Sequence, residues 1–115
     1  MPVSIVVVQT TVATKPQATR LARRMVDSRL AACVQVTPIR SVYRWKGRMT
    51  TAGEYLLSAK TRPALARDLT QLILQVHPYE LPELVVLPVA AASNAYRRWV
   101  QAETKAQGHA RPDPA

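Results

Sequence analysis

One seven-residue segment carries most of the side chains that could do chemistry in this chain. Its residues His77, Tyr79, Glu80 and Glu83 place an imidazole, a phenol and two carboxylates around two prolines. Proline fixes its own φ and pushes the preceding residue toward extended backbone, so His77 and Leu81 are predicted to lie outside a helix. A stiff polar segment of this kind, entering an apolar strand, suits a metal ion or an anion. It equally suits a structural turn from a helix into a strand.

A metal at this segment would take His77 as its nitrogen donor. An imidazole near Glu80 and Glu83 is acceptable to copper, zinc or nickel. One histidine with two exposed carboxylates is a weak site, so further ligands are expected from other subunits. In the structural alternative, His77 ties the end of a helix to the following loop by hydrogen bonds. The other histidine, His109, falls in a predicted disordered tail (residues 108–115) and would bind metal only adventitiously.

The single cysteine, Cys33, excludes an internal disulfide and a multi-cysteine zinc site within one chain. It stands at a strand start, where a small buried thiol is ordinary. Cys33 and His77 could meet in space, but a hydrolase also needs an orienting group in contact. The sequence has neither a nucleophile elbow nor a glycine-rich phosphate loop. We therefore predict no enzymatic activity.

The composition is that of one domain. The chain has 115 residues, of which 48% are hydrophobic, too many for a disordered chain. The apolar run at residues 5–8 is too short to span a bilayer, and no signal-peptide pattern is present, so a cytoplasmic location is expected.

The net charge of +9 favours anionic partners. Nucleic acid is an unlikely partner because no aromatic-interleaved recognition motif accompanies the arginines.

Apolar periodicity predicts four strands, at residues 3–9, 32–45, 55–60 and 84–89. Pro38 marks an edge strand or a bulge, and Lys46-Gly47-Arg48 predicts a hairpin turn.

Three helices are predicted between and after these strands. Thr14 can cap the first in a capping box with Gln17. The second begins near Thr61 or Pro63 and is stopped by Pro78, and Asn94 can cap the third. The order β-α-β-β-α-β plus a terminal helix predicts an α+β, ferredoxin-like domain over residues 1–107, with an antiparallel sheet covered by helices on one face.

The aromatic residues suggest an interface. Phenylalanine is absent, and tryptophan and tyrosine are favoured where a ring is buried and its polar tip is paired. Tyr43, Trp45 and Trp99 are the candidates for subunit contacts. Ordinary half-buried packing at the ends of elements is an equal alternative.

An ordered set of motifs resembles the CutA divalent-cation tolerance family. The set comprises Thr10-Thr11, Leu30-Ala31-Ala32-Cys33-Val34, Ser41-Val42-Tyr43-Arg44-Trp45-Lys46-Gly47, Glu54, Lys60-Thr61, His77-Pro78-Tyr79-Glu80, Pro82-Glu83, Leu87-Pro88-Val89 and Tyr96 to Val100. The resemblance implies a ferredoxin-like subunit in a homotrimer, similar to the PII signalling proteins, whose neighbouring subunits extend each other's sheets. It also implies tolerance of copper and other divalent metals, with no established catalytic activity. The family's polar loop before the last helix is Ala90-Ala91-Ala92 here, which removes possible oxygen ligands.

Two functions follow as hypotheses. The first is a trimeric, metal-responsive binding protein that takes Cu(II) or another divalent metal through His77, Cys33 and Glu80. The second is a PII-like sensor of a small anion or nucleotide in the clefts between subunits, through the residues Lys60, Arg44, Arg62 and Tyr79.

Overall fold

The computed structural model describes residues 3–105. Its elements are β1 (Val6–Val12), α1 (Lys15–Asp27), β2 (Cys33–Trp45), β3 (Arg48–Thr61), a 3-10 turn (Pro63–Leu65), α2 (Ala66–Val76), β4 (Val85–Pro88) and α3 (Asn94–Glu103). The strands form one sheet in the order β2-β3-β1-β4, with every neighbouring pair antiparallel. This confirms the α+β, ferredoxin-like prediction. The predicted tail at residues 108–115 lies outside the described residues.

The main core lies between one face of the sheet and helices α1 and α2. Side chains alternate across a strand, and the register pairs Val8 with Ala59, so both point to the face on which the helices pack. The opposite face, which we call the open face, carries polar side chains such as Gln9 and Ser58, whose amide and hydroxyl are 3.3 Å apart. The principal residues of the core are Val8, Val12, Leu21, Met25, Leu57, Ala59, Leu69 and Ile73.

The capping box predicted for α1 is present. Thr14 Oγ1 accepts a hydrogen bond from the Gln17 backbone N–H, and Gln17 Oε1 accepts one from the Thr14 N–H. The cap predicted for α3 was wrong by one residue. Ser93, in extended backbone, accepts from the Tyr96 N–H at 3.2 Å, and Asn94 is the first helical residue.

The end of α1 contains a left-handed residue that is not glycine. Arg29 has a φ of 61° directly after the cap residue Ser28. Its carbonyl accepts from the Lys105 N–H at 2.9 Å, and its guanidinium donates to the Ala102 carbonyl and pairs with Glu103. The end of α1 is thereby fastened to the end of α3.

Several predicted boundaries were wrong, and β4 spans Val85–Pro88 rather than 84–89. β1 occupies Val6–Val12 rather than 3–9, because the polar pair Thr10 and Thr11 continues its ladder with β3. β3 is more than twice as long as predicted, since Gly53 and its neighbours pair in register with β2. Helix α2 begins at Ala66 because a 3-10 turn occupies Pro63–Leu65.

The β2–β3 hairpin extends beyond the rest of the sheet. Residues 39–45 and 48–54 pair only with each other, and we call this projection (residues 39–54) the arm. Lys46 and Gly47 both have positive φ, 50° and 78°, as a two-residue type I′ turn requires. Val42 and Met49 on the arm are 63% and 77% exposed. Much of the apolar surface of the arm is therefore left in water by its own subunit.

Within residues 3–105, no helix combines the length and the apolar character needed to cross a membrane.

The core predicts a sharp contrast between two neighbouring apolar residues of α2. Ile73 is fully buried, whereas Leu74 is 52% exposed. Ile73→Ala should lower the free energy of unfolding by about 2–5 kcal/mol, because it removes buried methyl groups and leaves a cavity. Leu74→Ala should change it by less than about 0.5 kcal/mol. Urea unfolding of both variants at one protein concentration measures this, and equal losses would contradict the described core.

Candidate functional site

His77 lies where α2 ends and is held against the end of β1. Its backbone is extended and Pro78 follows, as the sequence predicts. The ring nitrogen Nε2 is 3.1 Å from Thr10 Oγ1 and 2.9 Å from the Thr11 carbonyl oxygen. The other ring nitrogen, Nδ1, is 3.1 Å from the Tyr79 backbone nitrogen. Both ring nitrogens are therefore engaged within the subunit.

These partners determine the protonation of the ring. The Tyr79 N–H donates to Nδ1, so Nδ1 carries a lone pair and Nε2–H donates to the Thr11 carbonyl. Burial lowers the pKa of His77, although the hydrogen bond to Thr11 and the charge of Glu54 oppose this. The imidazole is thus neutral at neutral pH. A metal could bind Nδ1 only by displacing the Tyr79 N–H, so the structural role of His77 is the one the geometry supports.

Tyr79 connects the same loop to β3. Its hydroxyl donates to Glu54 Oε2 at 2.8 Å, and its ring meets the His77 ring edge-on at 4.9 Å. Burial, followed by the hydrogen bond to Glu54, raises the pKa of Tyr79. We call Thr10, Thr11, Glu54, His77 and Tyr79 the His77 network. Because the Tyr79 hydroxyl already donates its hydrogen to the Glu54 carboxylate, it is not free in this chain to donate a hydrogen bond to a bound anion.

One subunit does not bring the predicted metal ligands together. The Cys33 sulfur lies 3.5 Å from the Tyr96 hydroxyl, and burial, followed by this contact, raises the pKa of Tyr96 to about 12. His77 is bonded instead to Thr10 and Thr11, while Glu80 is exposed. Among residues 3–105, no group of three or more His, Cys, Asp or Glu side chains could hold a metal ion.

The predicted anion-binding residues are also separated. Lys60 donates to the Gln35 side chain, and Arg62 donates to Thr104 Oγ1 and to the Gln101 carbonyl at the end of α3. Arg44 is on the arm. Lys60 on β3 is paired with Cys33 on β2. Arg44 lies eleven residues beyond Cys33 along β2, which places it about 37 Å from this pair at the rise of a strand. A cleft containing both groups would need the Arg44 of another subunit.

Two roles were missed by sequence reasoning. Arg62 anchors the carboxyl end of α3, where a cation is favoured by the exposed carbonyls. Glu54 completes the His77 network although 25 residues separate it from Tyr79. No local spacing could have indicated this pair, because the contact depends on the β3 register.

The three aromatic residues predicted at an interface are incompletely buried by their own subunit. Tyr43, Trp45 and Trp99 are 42%, 38% and 42% exposed. Lys46 Nζ lies 5.7 Å from the centroid of the Trp45 ring, and Trp99 packs on Tyr96. Each ring therefore keeps a surface that a neighbouring subunit could cover.

The fold and these residues match known proteins. The family model described as CutA1 divalent ion tolerance protein matches residues 6–103. The divalent-cation tolerance protein CutA of Thermus thermophilus is 37% identical over 99 residues, which cover 85% of this chain and 96% of that protein. Protein CutA of Mus musculus is 42% identical over 89 residues, covering 76% of this chain and 50% of that protein. The chloroplastic CutA of Arabidopsis thaliana is 38% identical, covering 87% and 56%. The chain thus spans about half the length of these two eukaryotic relatives.

Solved structures show the same likeness. CutA from Synechococcus elongatus has a TM-score of 0.87 at 39% identity, covering 90% of this chain and 93% of that one. The Thermus thermophilus protein has a TM-score of 0.83 at 36% identity, covering 88% and 99%. The fold is thus the α+β, ferredoxin-like type shared with these structures. The chain belongs to the CutA1 divalent ion tolerance family.

The His77 network predicts that stability falls on mild acidification. The pKa of His77 is lowered in the folded chain, so the unfolded chain binds a proton first as the pH falls through the ordinary histidine value of about 6.5. The free energy of unfolding should therefore decrease below about pH 6.5 and level off below the folded pKa. His77→Gln should remove this part of the pH dependence. Urea midpoints one pH unit above and below 6.5 measure it, and an equal pH response in both proteins would refute it.

Proposed function

We propose that the protein is a homotrimeric, non-enzymatic binding protein of the cytoplasm that responds to divalent metal, with copper as the preferred ion. The observation that carries this proposal is the apolar surface left exposed along both edges of the sheet. A cytoplasmic location is part of the proposal and is not common to all relatives, since the Arabidopsis protein is named chloroplastic. The absence of catalysis is supported by the separate contacts of Cys33 and His77, which form no nucleophile–base pair.

The two edge strands argue for assembly. On β4, Val85, Val86 and Leu87 are each about two-fifths exposed, and on the arm Val42 and Met49 are more exposed still. Unpaired, apolar edge strands favour pairing with another chain. If β4 of one subunit pairs beside β2 of the next, the contact is head-to-tail, and such contacts form a ring when the rotation between subunits closes. A ring of three is the state implied by the family.

A metal site between subunits is consistent with the donor positions. No three-ligand group exists within the described part of one chain, so an assembled site must combine donors from several chains. Cys33 is a partly exposed thiol on the open face, paired across the ladder with Lys60. A thiolate is among the ligands that select copper. His77 would contribute indirectly by fixing the loop that carries Glu80.

An anion sensor in the cleft between subunits is the second candidate. The arm carries four cations, Arg40, Arg44, Lys46 and Arg48, and one acidic residue, Glu54, which is bonded to Tyr79. A neighbouring arm could bring its Arg44 to a surface near Lys60, where an anion would be attracted.

The assembly proposal is tested by mass. Light scattering should give three times the mass of one chain for the wild type. Leu87→Lys should reduce the assembled fraction, because it puts a charge on an edge strand. Leu74→Lys, on the exposed side of α2, is the matched control and should leave the mass unchanged. A wild-type monomer, or an equal effect of both substitutions, would overturn the proposal.

The metal proposal is tested by calorimetry with Cu²⁺, with ATP as the probe of the second candidate. Cys33→Ser should weaken copper binding by about tenfold or more through loss of a ligand. His77→Gln should have a smaller effect, since both of its ring nitrogens are engaged. Truncation after Lys105 removes His109 and should leave the affinity intact. If copper binding disappears with the truncation, or if only ATP binds, the metal proposal fails.

A further inference from the structure

A groove on the helix-covered side of the subunit has no place in the functions above. It lies between α1 and the turn that ends α2 and has a volume of about 220 Å³. Val12 and Leu21 line it from β1 and α1, and Val76 and Pro78 line it from the end of α2. Arg20 and Arg24 add to the lining from α1. Gln17 of α1 also lines it, so the groove is polar and charged along its α1 side and apolar elsewhere.

The two arginines form a pair by helix geometry. Residues four apart on a helix are neighbours on one face, so Arg20 and Arg24 stand one turn apart beside the groove. Both are exposed, and the ion pair found within residues 3–105 joins Arg29 to Glu103 and involves neither of them. Their charge is consequently not neutralised by a carboxylate of the described chain.

We propose that this groove binds a medium-chain aliphatic carboxylate. The apolar chain would lie against Val76 and Pro78, which are exposed, whereas Val12 and Leu21 are buried behind the surface. The carboxylate would accept hydrogen bonds from the guanidinium groups of Arg20 and Arg24, which match it in a bidentate way. The volume equals that of about seven liquid waters, below the roughly 300–1,000 Å³ of drug-sized pockets. It has room for a short aliphatic chain and too little for a nucleotide.

The proposal is independent of assembly and of metal. The groove lies over α1 and α2, whereas the apolar edge strands and Cys33 lie on other parts of the sheet. It does adjoin the His77 network, because Pro78 follows His77 and Val12 follows Thr11. A ligand in the groove should therefore shift the NMR resonances of the His77 ring, which report its position independently of the measured affinity.

The first experiment titrates the full chain with octanoate and follows backbone amide and His77 ring resonances by NMR at neutral pH. Saturable shifts are expected at Val12, Leu21, Val76 and His77. Hexanoate lacks two methylenes and should bind up to about sixteenfold more weakly, at roughly fourfold for each methylene removed from contact. Octanol, which keeps the chain but lacks the charge, should also bind at least about tenfold more weakly. No saturation at millimolar octanoate, or equal binding of octanol, would overturn the proposal.

The second experiment compares neighbouring arginines of the same helix. Arg20→Gln and Arg24→Gln should each weaken octanoate binding by about tenfold, the loss expected for a charge-assisted hydrogen bond. Arg23→Gln removes the same charge from an exposed position that does not line the groove, and it should leave the affinity unchanged. If all three substitutions weaken octanoate binding equally, the ligand is attracted to the basic surface in general, and the proposal of a specific groove site is overturned. Shifts centred on the arm would do the same, because they would place the ligand elsewhere.

Discussion

The position of β1 between β3 and β4 is the constraint on which the other features depend. Its inner side chains, Val8 and Val12, are almost fully buried, so both helices must pack against this strand to remove apolar surface from water. Its backbone is paired with β3 along its whole length and with β4 over residues 6–9, which satisfies polar groups that this burial would otherwise leave unpaired. The end of the strand also supplies the Thr11 carbonyl that holds His77. Core and His77 network are therefore positioned by one strand.

The sequence predicted the elements better than their lengths, and it predicted contacts least well. Apolar periodicity and turn chemistry were sufficient for the order of strands and helices and for the turn at Lys46 and Gly47. Strand residues without a large apolar side chain, such as Thr10 and Gly53, carry no apolar signal, so the sequence did not indicate their pairing. The engagement of His77 by the Thr11 carbonyl depends on packing between residues 66 apart. Local patterns cannot decide between a ligand and a structural residue at such a position.

The distribution of exposed surface separates two regions of the subunit. The helix-covered side has a buried core and an outer surface rich in basic residues, on which single apolar side chains such as Leu74 are exposed. The edge strands and the arm are incomplete, because apolar side chains such as Leu87 and Met49 remain in water. Incomplete edges call for another chain, whereas a charged surface with a small groove suits a small anionic ligand. The two proposals therefore address different parts of the molecule and different chemistry.

The left-handed conformation of Arg29 has a consequence for local unfolding. A residue with a side chain costs about 1–2 kcal/mol in this conformation, and the contacts that oppose this cost come from Lys105, Ala102 and Glu103. Opening of the last turn of α3 would leave that cost uncompensated at the end of α1. The two helix ends should thus exchange their amide hydrogens as one cooperative unit, although most of the chain lies between them in sequence. A helix that contributes Val100 to a small secondary core is in this way tied to the stability of the first helix.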